Sequence, residues 1–227
     1  VITCKPVGMG GSLGRTEATG YGVIYVLKNL LAKMNLPIGS TTASIQGFGN
    51  VAEYAARMYT ELGGKVIAVS CWNQADSKSY TFKKADGCNI EQLASIKDSF
   101  GSIDKDKALE YGYELLPGEN WIKQDVDILI PAALENQITP AVFPEISSSV
   151  KVICEAANGP TTPDCDKLIR DRGITLLPDF LTNAGGVTCS YFEQVQCSMN
   201  YFWEKEEVFE KLESKMTNAF NGVYELA

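Results

Sequence analysis

The chain is 227 residues long, 45% hydrophobic and 21% charged, with a net charge of −8, a composition that suits one large α/β domain or two small ones. The acid excess supplies no basic stripe for a nucleic-acid backbone, and no apolar run of about 18 residues is present to span a membrane. Histidine is absent, which removes Ser-His and Cys-His catalysis and leaves acid–base work to Lys, Asp, Glu or Tyr.

In chain order, the apolar residues Val23, Val26, Leu27, Leu30, Leu31 and Met34 recur at helical spacing, and Pro37 and Gly39 end that helix. Residues 42–48 read as a strand. Residues 50–62 read as a helix stopped by Gly63-Gly64, and residues 65–71 as a short β-branched strand buried on both faces. The polar stretch 72–87 predicts a hairpin or loop excursion. Helices follow at 90–100 and 104–111, then strands at 125–131, 150–156 and 174–177. From Ala184 onward the pattern is helical, with a break near Asn200 to Trp203. Strands alternating with helices predict a Rossmann-like, doubly wound, mostly parallel sheet with helices on both faces and a helical C-terminal segment, all in one domain spanning 1–227.

The seven cysteines (Cys4, Cys71, Cys88, Cys154, Cys165, Cys189 and Cys197) form no Cys-x-x-Cys pair, and without histidine no metal site is expected. They read as reduced thiols, mostly buried. No basic-plus-apolar leader is read, and a cytoplasmic location is expected.

Gly47-Phe48-Gly49-Asn50-Val51-Ala52 fits G-x-G-x-x-A between a strand and a helix. In such a turn the first glycine permits the tight bend, the second lets a pyrophosphate approach the backbone, and the alanine lets helix and strand pack closely. The helix N-terminus offers N–H groups and the positive end of its dipole to the phosphates. The following strand ends near Cys71, which stands 71 − 47 = 24 residues after the first glycine. An acidic residue usually holds the adenosine ribose at this point, but here the sequence is Cys71-Trp72-Asn73. Other predicted strand ends carry small or amide residues: Ala132-Ala133, Asn158-Gly159 and Asn183-Ala184. A ligand of an open α/β sheet lies outside these ends, and amide side chains there can pair with a carboxamide or a ribose hydroxyl.

The run Lys5-Pro6-Val7-Gly8-Met9-Gly10-Gly11-Ser12-Leu13-Gly14-Arg15-Thr16-Glu17-Ala18-Thr19-Gly20 resembles the signature that opens the coenzyme domain of glutamate dehydrogenases. Four further segments match that family in order: the GFGNVA turn, Pro131 to Asn136, Glu155 to Thr162, and Pro178 to Val187. The resemblance covers essentially the whole chain. The Gly-Gly-Ser-x-Gly-Arg-x-Glu-Ala-Thr-Gly run separates it from leucine and phenylalanine dehydrogenases.

The resemblance implies a two-domain parent in which an N-terminal domain carries the catalytic lysine and aspartate and most contacts of a homohexamer. The present chain resembles the coenzyme domain alone. The implied reaction converts L-glutamate, NAD(P)+ and water to 2-oxoglutarate, ammonium and NAD(P)H, with no catalytic residue in this chain. The implied coenzyme residues are Thr19 and Asn183 at the nicotinamide amide and Asn158 at its ribose. Gly47, Phe48, Gly49, Asn50 and Val51 belong around the pyrophosphate, Ala132 and Ala133 along the track, and Cys71 with Trp72 at the adenosine end. Val187 and Ser190 are implied at the far carboxylate of glutamate. NAD is expected over NADP with weak discrimination, and the chain alone is expected to be inactive and monomeric or weakly dimeric. Arg15 reads equally well as a surface arginine and stands outside this set. Tyr191, Phe192, Tyr201, Phe202 and Trp203 read as packing of the terminal helices. A non-catalytic NAD(H) sensor shares the same motifs, although Val187 and Ser190 give a sensor nothing. A scaffold that has lost coenzyme binding conflicts with the intact glycine turn.

Overall fold

The computed structural model describes residues 2–227. Among the described residues, seven strands form a single sheet: β1 (Thr42–Gln46), β2 (Lys65–Asn73), β3 (Lys78–Lys83), β4 (Glu114–Pro117), β5 (Ile128–Pro131), β6 (Val152–Cys154) and β7 (Thr175–Leu177). Their order across the sheet is β4-β3-β2-β1-β5-β6-β7. From β2 through β7 the pairing is parallel, and the β2–β3 and β3–β4 pairs are antiparallel. The direction of the chain across the sheet reverses on either side of β1, which places a crevice at its C-terminal end.

Among the described residues, eight α-helices accompany the sheet: α1 (Ala18–Lys33), α2 (Asn50–Glu61), α3 (Ile90–Ser95), α4 (Lys105–Glu110), α5 (Asp166–Asp171), α6 (Asp179–Thr182), α7 (Gly185–Met199) and α8 (Lys205–Tyr224). Strand alternation divides the core cleanly. On β5, Ile128 and Ile130 face one side and Leu129 the other; on β6, Val152 and Cys154 oppose Ile153. The first side is closed by α1, α2, α7 and α8. The second is closed by α5 and by the short turn around Trp121 and Ile122. Burial on both faces is why these strands read as unbroken apolar runs.

The Rossmann-like architecture agrees with the sequence expectation, and several boundaries move. The first helix starts at Ala18, ahead of the periodic run from Val23. Gly20 lies inside it because α2 crosses there: a Cβ on Gly20 would stand 2.6 Å from the Ala55 nitrogen. The first strand stops at Gln46, since Gly47 turns to φ +95°. The polar excursion is a hairpin in which β2 runs on to Asn73 and returns as β3. The helix expected over 90–100 ends at Ser95, and the chain turns at Gly101 with φ +90°. The edge strand β4 and the helix α5 were not foreseen. The break near Asn200 is a left-handed residue, φ +51°, between the last two helices. All seven cysteines are free, and only Cys4 and Cys197 are exposed. Among the described residues no helix is long and apolar enough to cross a membrane, and no cluster of three potential metal ligands occurs.

Candidate functional site

Eight of the expected site residues line one cleft of about 910 Å³: Thr19, Val51, Ala132, Ala133, Asn158, Asn183, Val187 and Ser190. They arrive from different elements. Thr19 stands in the first turn of α1 and Val51 in the first turn of α2. Ala132 and Ala133 follow β5, Asn158 follows β6, Asn183 caps α6, and Val187 and Ser190 lie on α7. The cleft is therefore the crevice outside the carboxyl ends of the central strands.

At one end of it stands the glycine turn. Gly47 holds φ +95° with the Ala132 carbonyl oxygen 3.1 Å from the position of a Cβ. Around Gly49 nothing lies within 4 Å of that position, so the backbone there is open to a ligand. Gly49 is the N-cap of α2, and no side chain caps the helix. Its first-turn N–H groups are thus left for an anion, at the positive end of the dipole. The turn contributes backbone only. The Phe48 ring is buried in the core, and the Asn50 amide donates to the Thr16 carbonyl at 2.6 Å, which fastens the preceding loop.

Further along, Asn183 Nδ2 donates to Asn158 Oδ1 at 2.7 Å. The pair leaves one amide oxygen and one amide NH₂ to face a complementary amide or hydroxyl. Glu155 positions both asparagines. Its carboxylate accepts from the Asp179 N–H at 3.0 Å, its carbonyl oxygen accepts from the Thr182 hydroxyl, and Asp179 Oδ2 accepts from the Gly159 N–H at 2.8 Å. Burial pushes the Glu155 carboxyl above its ordinary range, against the opposing bonds.

The far end is made by Arg15 and α7. Arg15 Nε donates to Ser190 Oγ at 2.9 Å, and Arg15 pairs with no carboxylate among the described residues. Gly186 makes room for this corner: a Cβ there would stand 2.3 Å from Thr19 Oγ1 and 3.5 Å from Arg15 Nη1. Val187 is 68% exposed and faces the opening. Across the same helix, the buried Glu193 pairs with Lys5 and accepts from the N–H of Cys4 at 2.9 Å, tying the first residues of the chain to α7. Burial raises this carboxyl. The Lys5 ammonium and the N–H groups of Cys4 and Lys5 outweigh that effect, and the net position is below the ordinary carboxylate range.

Six expected coenzyme residues do not line the cleft: Gly47, Phe48, Gly49 and Asn50 form the turn beside it, whereas Cys71 and Trp72 lie away from it. Cys71 does not end a strand; it sits in the hairpin opposite Tyr80, 6% exposed. Burial pushes its thiol up to about 11, so it offers a ribose no charged acceptor. Trp72, its neighbour along the strand, points to the opposite face and lines a separate groove with Lys78, Ser79 and Leu115. Conversely, Arg15 and Tyr191, which were read as a surface arginine and as helix packing, line the cleft, as do Cys4 and Gln194. Arg15 carried a signal, since it stands four residues before Thr19 in the same Gly14 to Gly20 run; Cys4 and Gln194 carried none. Of the aromatic group, Phe192 and Trp203 pack edge to face at 5.5 Å as expected. Tyr191, Tyr201 and Phe202 are exposed and do not join them.

The model of the Glutamate/Leucine/Phenylalanine/Valine dehydrogenase family matches residues 10–227. The chain belongs to this family. It is 42% identical over 227 residues to the NAD-specific glutamate dehydrogenase of Clostridioides difficile, an alignment covering all of this chain and 52% of that protein. The crystal structure of glutamate dehydrogenase from Peptoniphilus asaccharolyticus superposes with a TM-score of 0.81 at 37% identity, over 98% of this chain and 49% of that one. The hetero-hexameric glutamate dehydrogenase of Thermus thermophilus gives a TM-score of 0.87 at 26% identity, over 99% of this chain and 50% of that one. The chain spans about half the length of the curated relatives it matches. This family member therefore pairs a Rossmann-like sheet with the uncapped glycine turn described above.

Proposed function

We propose that this chain is the coenzyme domain of a glutamate dehydrogenase and that its cleft holds NAD. The observation that carries the reading is the uncapped N-terminus of α2 behind the open Gly49, at one end of a cleft whose other end offers the asparagine pair and Arg15. The cleft volume of about 910 Å³ falls within the usual range for small-molecule sites, about 300–1,000 Å³. When bound, NAD+ would supply the hydride acceptor for the α-carbon of L-glutamate, with water providing the keto oxygen of 2-oxoglutarate as ammonium is released.

This chain's residues bind and orient. The α2 N–H groups take the pyrophosphate. Asn158 and Asn183 hold the nicotinamide amide and its ribose, with Thr19 beside them. Arg15, Ser190 and Val187 face the glutamate side. The lysine and aspartate that the family resemblance assigns to catalysis belong to the N-terminal domain of the parent enzyme, as do most contacts of a homohexamer. The NAD-specific name of the relatives supports NAD over NADP, which agrees with the sequence expectation.

Calorimetric titration of the purified chain with NADH tests this. Saturable binding of one NADH per chain is expected, and no glutamate-dependent NADH production. Absence of binding by folded protein overturns the coenzyme assignment. Turnover by the chain alone overturns the division of labour.

A further inference from the structure

With Cys71 buried, the adenosine end of the site lacks the strand-end carboxylate that usually meets the ribose. A carboxylate from another element stands at that end. After α3 the chain closes a tight turn headed by Asp98, whose Oδ1 accepts from the N–H groups of Phe100 at 2.8 Å and Ser102 at 2.9 Å. Gly101 seats the turn on the glycine loop: a Cβ there would stand 3.4 Å from the Phe48 carbonyl oxygen and 3.6 Å from the Gly49 Cα. Ser102 Oγ accepts from the Gln74 N–H at 3.2 Å, which fastens the same turn to the end of β2. The turn thus bridges Gly49 and the end of β2. A pyrophosphate on α2 places the adenosine ribose between these two points.

We propose that Asp98 accepts from the ribose hydroxyls of the adenosine half and rejects a 2′-phosphate, so that a loop carboxylate, rather than a strand-end one, sets the preference for NAD over NADP. This rests on the coenzyme reading above. Asp98 is exposed, and no lysine or arginine pairs with it among the described residues. The N–H of Ser102, joined by that of Phe100, holds its carboxyl below the ordinary range, so it is charged at neutral pH.

The lysine beside Asp98 and those of the hairpin and its surroundings are engaged elsewhere. Lys97 pairs with Glu53 and lies 5.5 Å over the Phe48 ring. Lys83 pairs with Glu114 at 3.6 Å, Lys84 donates to the Tyr111 carbonyl at 3.0 Å, and Lys105 pairs with Asp76. Lys78 lines the groove on the other face, beside Trp72. A 2′-phosphate would meet Asp98 with no arginine or lysine to hold it.

The test compares NADH and NADPH binding to the purified chain and to Asp98→Asn. That substitution removes the charge and keeps the oxygen that accepts from Phe100 and Ser102. The expected result is a preference of the unaltered chain for NADH of about tenfold or more, falling at least about fivefold in Asp98→Asn, with the thermal midpoint unchanged. If Asp98→Asn does not fold, Asp98→Ser, which keeps a short acceptor, is read the same way. An unchanged NADH-to-NADPH ratio in a folded variant overturns the assignment of Asp98 alone, as does a preference of the unaltered chain for NADPH. Failure of the unaltered chain to bind either nucleotide overturns the coenzyme reading and this inference with it.

Discussion

Gly47 and Gly49 share one turn, yet glycine is needed at each for a different physical reason. Gly47 sits at φ +95° against Ala132, where any side chain is strained and crowded. Gly49 has ordinary φ of −73° and open space around it. The two substitutions should therefore separate folding from binding. Gly47→Ala is expected to lower unfolding stability by more than ~1 kcal/mol in a urea titration. Gly49→Val should fold normally and weaken NADH binding at least about tenfold, by standing where the pyrophosphate approaches. A folded Gly49→Val chain with unchanged affinity would show that the phosphates lie elsewhere. Glu193 gives a pH prediction at the same scale. Its folded pKa lies below the unfolded value, so its contribution is complete above the unfolded pKa and fades as pH falls through the folded one. Glu193→Gln should lose the Lys5 tether and show a shallower loss of thermal midpoint between neutral and acid pH than the unaltered chain.

The elements that shape the cleft cross at unusually small residues. At the crossing of α1 and α7, a Cβ on Gly185 would stand 2.1 Å from the Ala18 carbonyl oxygen and 3.1 Å from the Gly22 Cα. The two backbones come this close so that Thr19 on one helix and Ser190 on the other can face the same space. Gly185→Ala should force them apart, with an expected cost of about 1–3 kcal/mol. Because α1 carries Thr19 and α7 follows directly on Asn183, the displacement should also weaken nucleotide binding. A chain that keeps its midpoint and its affinity would show that the crossing is more yielding than its spacing implies. Sequence periodicity had located both helices. It could not show that Gly20 and Gly22 belong inside a helix, because a glycine there is favoured only by its neighbour across the crossing.

For the molecule as a whole, the expected monomer or weak dimer follows from assigning the hexamer contacts to the parent's N-terminal domain. Light scattering on the purified chain should report a mass near 24.7 kDa. A stable hexamer would show that this domain carries the assembly surface itself.

The sequence by itself determined the sheet's parallel centre, because strands buried on both faces must be continuously apolar. It also determined the glycine turn and the strand-end residues Ala132, Ala133, Asn158 and Asn183, because such positions follow once the strands are placed; Thr19, Val187 and Ser190 came from the family resemblance. Tertiary structure decided what the adenosine end looks like. Cys71 reads as a strand end only if β2 stops there. Pairing with β3 carries the strand on to Asn73 and buries the thiol. Asp98, 27 residues further along the chain (98 − 71), reads as an ordinary acidic residue in a helix. It reaches the glycine turn only because that helix ends at Ser95 and Gly101 folds the chain back onto Phe48 and Gly49. Local propensity fixes neither event. Both depend on contacts between segments far apart in sequence.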